Sequence, residues 1–143
     1  MGISKVMKRV FIDANVLVAV VNREYPIFSE AARVLSLADR SGYELFTSPV
    51  CLAIAFYFAE KKSSTTQAKI KLKLLLHHIK VTTVDDKIVR QAMNNPAIHD
   101  VEYGMQYYSA ITSGCTYIVT EDKEDYYFSE IKVVSCKEFL KNE

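Results

Sequence analysis

Asp13 follows a short run of β-branched and aromatic residues, Lys8-Arg9-Val10-Phe11-Ile12, and precedes Ala14-Asn15. Such a run reads as a buried strand, which puts the Asp13 carboxylate at the strand's carboxyl end. Thr120-Glu121-Asp122, with Asp125 soon after, closes a second such run beginning at Thr116. Asp100 and Glu102 open the helix before it. Neighbouring parallel strands would gather these acids from distant parts of the chain. Gathered carboxylates repel one another unless positive charge lies between them, and a divalent cation is the natural occupant. Mg2+ or Mn2+ prefers carboxylate and water oxygens, and a water held on such an ion can attack a phosphodiester. Asn15 is placed either to orient Asp13 or to cap a turn. Thr120 can bind phosphate, position Asp122 or simply end its strand. Ser48 reads as a helix cap rather than a nucleophile, because no His or Lys is placed to activate it.

The elements around these residues follow from pattern and punctuation. Asn15 to Val21 is short and apolar, a helix or a continuation of the strand. Asn22 to Pro26 breaks it. Ile27 to Ser41 has helical spacing in Phe28, Ala31, Ala32, Leu35 and Ala38, with Gly42 as the stop. Glu44 to Thr47 is a second strand. Ser48-Pro49 opens a helix to about Lys62. Ser63-Ser64-Thr65 caps another, Thr66 to His78, with Ile70, Leu74 and His77/His78 on one side. Val81 to Val84 is a third strand. Asp85-Asp86 starts a helix to Asn94, and Asp100 one to Ser113, halted by Gly114. Thr116 to Thr120 and Ile131 to Val134 are the fourth and fifth strands. Ser135 caps a last helix through Leu140. Strands alternating with helices imply an α/β domain, a parallel sheet covered on both faces. Ligands of such sheets bind outside the carboxyl ends of the strands.

Length and composition narrow the function classes. A chain of 143 residues fits one domain; Met7 to Glu143 reads as that domain and Met1 to Val6 as an extension. Val50 to Ala59, the longest apolar stretch, is too short to span a bilayer, and no secretion signal is read at the N-terminus. Cys51, Cys115 and Cys136 are odd in number and far apart, which argues against a disulfide framework or zinc site and for buried thiols in a reducing cytoplasm. The net charge of +1 hides a segregation. Lys61 to Val84 holds six lysines and no acid, whereas Asn95 to Glu143 holds nine acids against four lysines. A basic face beside an acidic end can hold a polyanion next to a cation. Lys61, Lys62, Lys69 and Lys73 are therefore candidates for RNA phosphates, against the plainer reading of a solvated helix surface. Tyr103, Tyr107 and Tyr108 can stack on bases or pack in the core.

The same residues carry a family resemblance. Phe11-Ile12-Asp13-Ala14-Asn15-Val16-Leu17-Val18 resembles the opening of PIN domains. So do Thr47-Ser48-Pro49, Asp100-Val101-Glu102 with Gln106-Tyr107-Tyr108-Ser109-Ala110, and Ile118-Val119-Thr120-Glu121-Asp122. The resemblance runs from Met7 to Leu140 and points to bacterial PIN proteins of a toxin-like or RNA-binding kind. It implies a three-layer α/β/α sandwich with a five-stranded parallel sheet in the order 3-2-1-4-5. It also implies metal-dependent endoribonuclease chemistry, RNA as substrate, a protein antitoxin as partner and a homodimer.

Two positions depart from the family pattern. A Glu of the third helix aligns with Ile54, and the acid opening the helix before strand four aligns with Tyr103. Neither can hold a cation as a carboxylate does. Asp13 matches directly, Asp122 matches the position two after the threonine, and Asp125 a common acid beyond it. Asp100, three residues before Tyr103, shares its helical face and can stand in, or it can cap the helix. Glu102 should point about 100° away from Tyr103. The expected catalytic set is Asp13, Asp100 and Asp122, with Asp13, Asp122 and Asp125 as ligands for Mg2+ or Mn2+ bound weakly or not at all. Two functions stay open: a metal-dependent endoribonuclease, and a PIN domain that has lost catalysis and binds RNA or a partner.

Overall fold

The computed structural model describes residues 7–142; the extension read at Met1 to Val6 lies outside them. Strand β1 (Lys8–Ile12) is the middle of the sheet, and its Val10, Phe11 and Ile12 are fully buried. An uninterrupted apolar strand end of this kind suits a sheet covered on both faces. β1 pairs in parallel with β2 (Tyr43–Thr47) on one side and β4 (Tyr117–Val119) on the other. β3 (Ile79–Val81) and β5 (Lys132–Val134) form the edges, giving the order β3-β2-β1-β4-β5. The expected five-stranded parallel sheet in a three-layer α/β/α sandwich is what the chain forms.

Helices α1 (Ala14–Val21), α2 (Ile27–Ser36), α3 (Pro49–Lys62) and α4 (Thr65–Leu75) pack in succession, α1 on α2 and α3, and α3 on α4. α5 (Asp86–Asn94) lies on α6 (Val101–Thr112), and α7 (Cys136–Lys141) returns to α2. The caps are the ones the sequence offers. Asp13, Ser48, Ser64, Asp85, Asp100 and Ser135 each accept a backbone N–H of the helix they start. That satisfies donors which the first helical turn leaves without partners.

Three boundaries differ from the sequence reading. α2 ends at Ser36 and tightens into a 3-10 turn at Leu37–Asp39, which lets Leu37 reach the core. β3 begins two residues earlier than expected, because pairing of Ile79 with Leu45 buries the Ile79 side chain, and α4 stops at Leu75 to release it. The inward face of α4 is Ala68 and Leu72, so the side bearing Ile70, Leu74, His77 and His78 looks outward. The chain also makes a 3-10 turn at Lys123–Tyr126 that no sequence pattern announced.

Every strand ends, at its carboxyl end, in a polar residue: Thr82, Ser48 after Thr47, Asp13, Thr120 and Ser135. Three backbone bonds extend the ladders by one residue there, from Asp13 N to Val119 O (3.0 Å), Thr120 N to Val134 O (2.9 Å) and Thr82 N to Thr47 O (2.8 Å). The polar row is thus held rigidly along one edge of the sheet.

α5 meets α6 at Gly104, where a Cβ would lie 2.8 Å from Ala92 Cβ and 3.1 Å from Ile98 Cγ2. Gly104→Ala should lower stability by ~1–2 kcal/mol in urea denaturation, the overpacking cost exceeding the ~1 kcal/mol that alanine gains in a helix. An unchanged midpoint would mean that the helices separate freely.

Candidate active site

Asp13 is 4 % exposed, yet its carboxylate is surrounded by donors from three elements. Oδ1 accepts the Ala14 N–H at 2.9 Å and faces the Cys51 thiol of α3 at 3.6 Å. Oδ2 accepts the Thr120 hydroxyl at 2.8 Å and the Asn15 amide at 3.4 Å. The Tyr126 hydroxyl, also buried, faces the same carboxylate without reaching bonding geometry to any partner among the described residues. Burial raises the Asp13 pKa above the usual carboxylate value, and the hydrogen bonds from Thr120 and Ala14 act against that rise.

Asn15 joins the two ends of the site. Its amide nitrogen donates to Thr120 Oγ1 (3.0 Å), Asp122 Oδ2 (3.2 Å) and Asp13, while its Oδ1 accepts the Glu121 N–H at 3.1 Å. That last bond fixes which way the amide points. Thr120 in turn accepts the Asp122 N–H at 3.1 Å. Asn15 and Thr120 are therefore joined directly to both Asp13 and Asp122.

Above this network lies a pocket of about 470 Å³. Its polar lining includes Asp13, Asn15, Glu24, Glu102 and Asp122, and its walls are Ala14, Val18, Ile54, Phe58 and Tyr103. Ile54 and Tyr103 do stand beside Asp13. Tyr103 packs edge-on against Tyr126, ring centroids 5.2 Å apart, and turns its hydroxyl to Asp125. Burial and Asp125 both push the Tyr103 pKa up.

The sequence-derived candidates separate on folding. Asp13, Asn15, Thr120 and Asp122 come together. Asp100 does not line the pocket; its carboxylate caps α6 by accepting the Glu102 N–H at 3.0 Å. Glu102, expected to point away, lines the pocket instead. Burial first, then Asp100, Asp13 and Asp125, raise its pKa. Asp125 is held by its N–H on Asp122 O (3.1 Å) and lies under Tyr103. Ser48 is buried outside the pocket, accepting the Cys51 N–H at 3.0 Å and donating to Gln106 of α6. Of the lysines, Lys62 donates to Asn22 O (2.6 Å) and Lys61 lies over the Tyr57 ring at 4.9 Å. Lys69 and Lys73 stand on the surface of α4, away from the pocket. Tyr107 and Tyr108 are anchors, their hydroxyls accepting from Glu130 N and Asn95 Nδ2. Sequence reasoning missed Glu24, Phe58, Cys51 and Tyr126. The first two lie in or beside helices whose orientation no local pattern gives, and the other two read as core.

The divalent cation implied by the resemblance does not fit the donors present. Among the described residues no three His, Cys, Asp or Glu side chains converge as a metal would need. The space between Asp13 and Asp122 holds the Asn15 amide N–H group, a donor where a cation would require acceptors.

A central-strand aspartate facing a second carboxylate from the neighbouring parallel strand, in a sheet of this order, defines the PIN-type fold. The chain belongs to the PIN-domain family, whose model matches residues 9–124. It is similar to Ribonuclease VapC1 of Aquifex aeolicus (strain VF5), 27 % identical over 141 residues, covering 92 % of this chain and 93 % of that protein. Its fold is that of VapBC2 from Rickettsia felis, solved with a DNA fragment from its promoter (TM-score 0.65, 16 % identity, 87 % of this chain and 96 % of that one). It is also that of Mycobacterium tuberculosis VapC20, a sarcin-ricin loop cleaving toxin (TM-score 0.64, 15 % identity, 86 % and 98 %).

The linkage sign for Asp13 follows from its raised pKa. The folded state holds the proton to higher pH than the unfolded state, so stability falls as pH rises through the folded pKa. Thr120→Val removes the strongest hydrogen bond opposing that rise and should move the window further up. We expect it to cost ~1–3 kcal/mol at pH 7, typical for a buried bond to a charged group, and less at acid pH. Urea denaturation at both pH values checks this; an equal cost at each would mean that Asp13 is neutral throughout.

Proposed function

We infer that this chain is a PIN-domain protein that acts on RNA by binding it rather than cutting it, with a single-stranded base seated over Asp13. The observation that carries this is the pocket lining, in which Ile54, Phe58 and Tyr103 stand among carboxylates bridged by the Asn15 amide. A phosphate entering without a cation meets only like charge from Asp122, Glu102 and Glu24. A nucleobase meets surfaces suited to it: aromatic faces to stack on, and carboxylates that accept from exocyclic amines. Single-stranded RNA is recognised by such stacking, worth about 1–3 kcal/mol per base. The likeness to a protein named a ribonuclease and the fold of a named RNA-cleaving toxin support RNA as the class of ligand. A protein antitoxin, a homodimer, a cytoplasmic setting and a single domain over 7–143 belong to the same reading.

A second reading keeps the chemistry. Glu102 shares the pocket with Asp13 and Asp122, and that favours a residual Mg2+- or Mn2+-dependent endoribonuclease. The two readings part in one experiment, with a labelled single-stranded oligoribonucleotide followed by anisotropy and gel analysis. Binding should survive EDTA, weaken about tenfold in Phe58→Ala and in Glu102→Gln, a loss of ~1.4 kcal/mol each, and leave the RNA intact in Mn2+. Manganese-dependent fragments that vanish in Glu102→Gln would establish the nuclease instead. No binding with or without Mn2+ would remove RNA from the account.

A further inference from the structure

The outer face of α4 carries a pattern that neither the core nor the Asp13 pocket uses. Ile70 and Leu74 are 47 % and 59 % exposed, and Leu76 just beyond the helix is 43 % exposed. Ile70 and Leu74 are one turn apart, so their side chains adjoin, on the side opposite the buried Ala68 and Leu72. Lys69 and Lys73 flank this pair on one side by helical geometry and Lys71 on the other. None of the three lysines is in an ion pair among the described residues, and no acid occurs anywhere from Lys61 to Val84.

An occupant must satisfy both halves of the pattern. RNA phosphates would be drawn to the lysines but would leave the aliphatic centre against charge and water. A second copy in the same orientation would set lysines against lysines, and like charges across an interface oppose it. A helix with an apolar stripe and acidic flanks satisfies both, because its stripe covers Ile70 and Leu74 while its carboxylates meet the three lysines. Amphipathic helices are recognised through apolar anchors at this spacing. We propose that the outer face of α4 docks an acidic amphipathic helix of a partner protein, with Ile70 and Leu74 as its apolar contact and Lys69, Lys71 and Lys73 as its charge contact. No residue of α4 lines the Asp13 pocket, so this surface works independently of RNA held there. Lys69 and Lys73 then serve a protein rather than phosphates.

A helical-peptide display library panned against the full chain tests this. Selected peptides should carry Leu, Ile or Met at helical spacing with Asp and Glu beside them. The affinity of a synthetic peptide of that consensus should fall at least tenfold in Ile70→Ser/Leu74→Ser. It should fall several-fold in Lys69→Ala/Lys73→Ala and as salt rises. All four substitutions are on the surface, so circular dichroism should stay that of the parent. Three results would overturn the proposal. The first is selected peptides indifferent to Ile70→Ser/Leu74→Ser. The second is an oligoribonucleotide whose binding needs Lys69 and Lys73 but not Ile70 and Leu74. The third is a dimer in sedimentation equilibrium that Ile70→Ser/Leu74→Ser dissolves.

Discussion

One carboxylate with almost no contact with water has to be kept in place, and much of the carboxyl edge of the sheet is arranged to do so. Burying Asp13 removes its hydration, and only fixed donors can replace it. The Ala14 N–H comes from α1, the Cys51 thiol from α3 and the Thr120 hydroxyl from the end of β4. Each donor is aimed only if its own element is in register. The ladder bond from Asp13 N to Val119 O sets β1 against β4, and the Ser48 cap sets the first turn of α3. The aspartate therefore couples two strands and two helices, whatever chemistry it takes part in.

That coupling explains how the site can lose acids and keep its shape. Ile54 and Tyr103 occupy wall positions of the pocket, not positions in the donor network. Tyr103 gains an edge contact with Tyr126 and a partner in Asp125, so an aromatic ring completes the wall. Asn15 neutralises the repulsion between Asp13 and Asp122 by donating to both, the task a cation would otherwise perform. The outcome is a rigid pocket whose charge is managed by hydrogen bonds.

The fold was legible in the sequence because its signals are local and redundant. β1 announces itself by Val10-Phe11-Ile12, and the helices of the middle of the chain begin at Ser48, Ser64, Asp85 and Asp100, each a capping residue. Errors fell where a tertiary contact overrides a local preference. Ile79 joins β3 because Leu45 offers it a buried place, although the run Val81 to Val84 looks more strand-like. Ala68 and Leu72 face inward on α4 because α3 lies on that side, and nothing in the run Lys69-Ile70-Lys71-Leu72-Lys73-Leu74 says which of its aliphatic residues the neighbour will cover.

The sequence alone determined that Asp13 ends a buried strand, that Asn15, Thr120 and Asp122 belong near it, and that Ile54 and Tyr103 replace acids of the family pattern. These follow from residue type, strand order and alignment, all of which are one-dimensional. Only the tertiary structure decided that Glu102 enters the pocket while Asp100 stays at the cap. The two residues differ by about 200° around the helix, and which direction meets the pocket depends on how α6 is rolled against its neighbours. The same holds for the Asn15 amide between two carboxylates and for the outward turn of Ile70 and Leu74. Each depends on the orientation of one element relative to another, which a linear pattern does not carry.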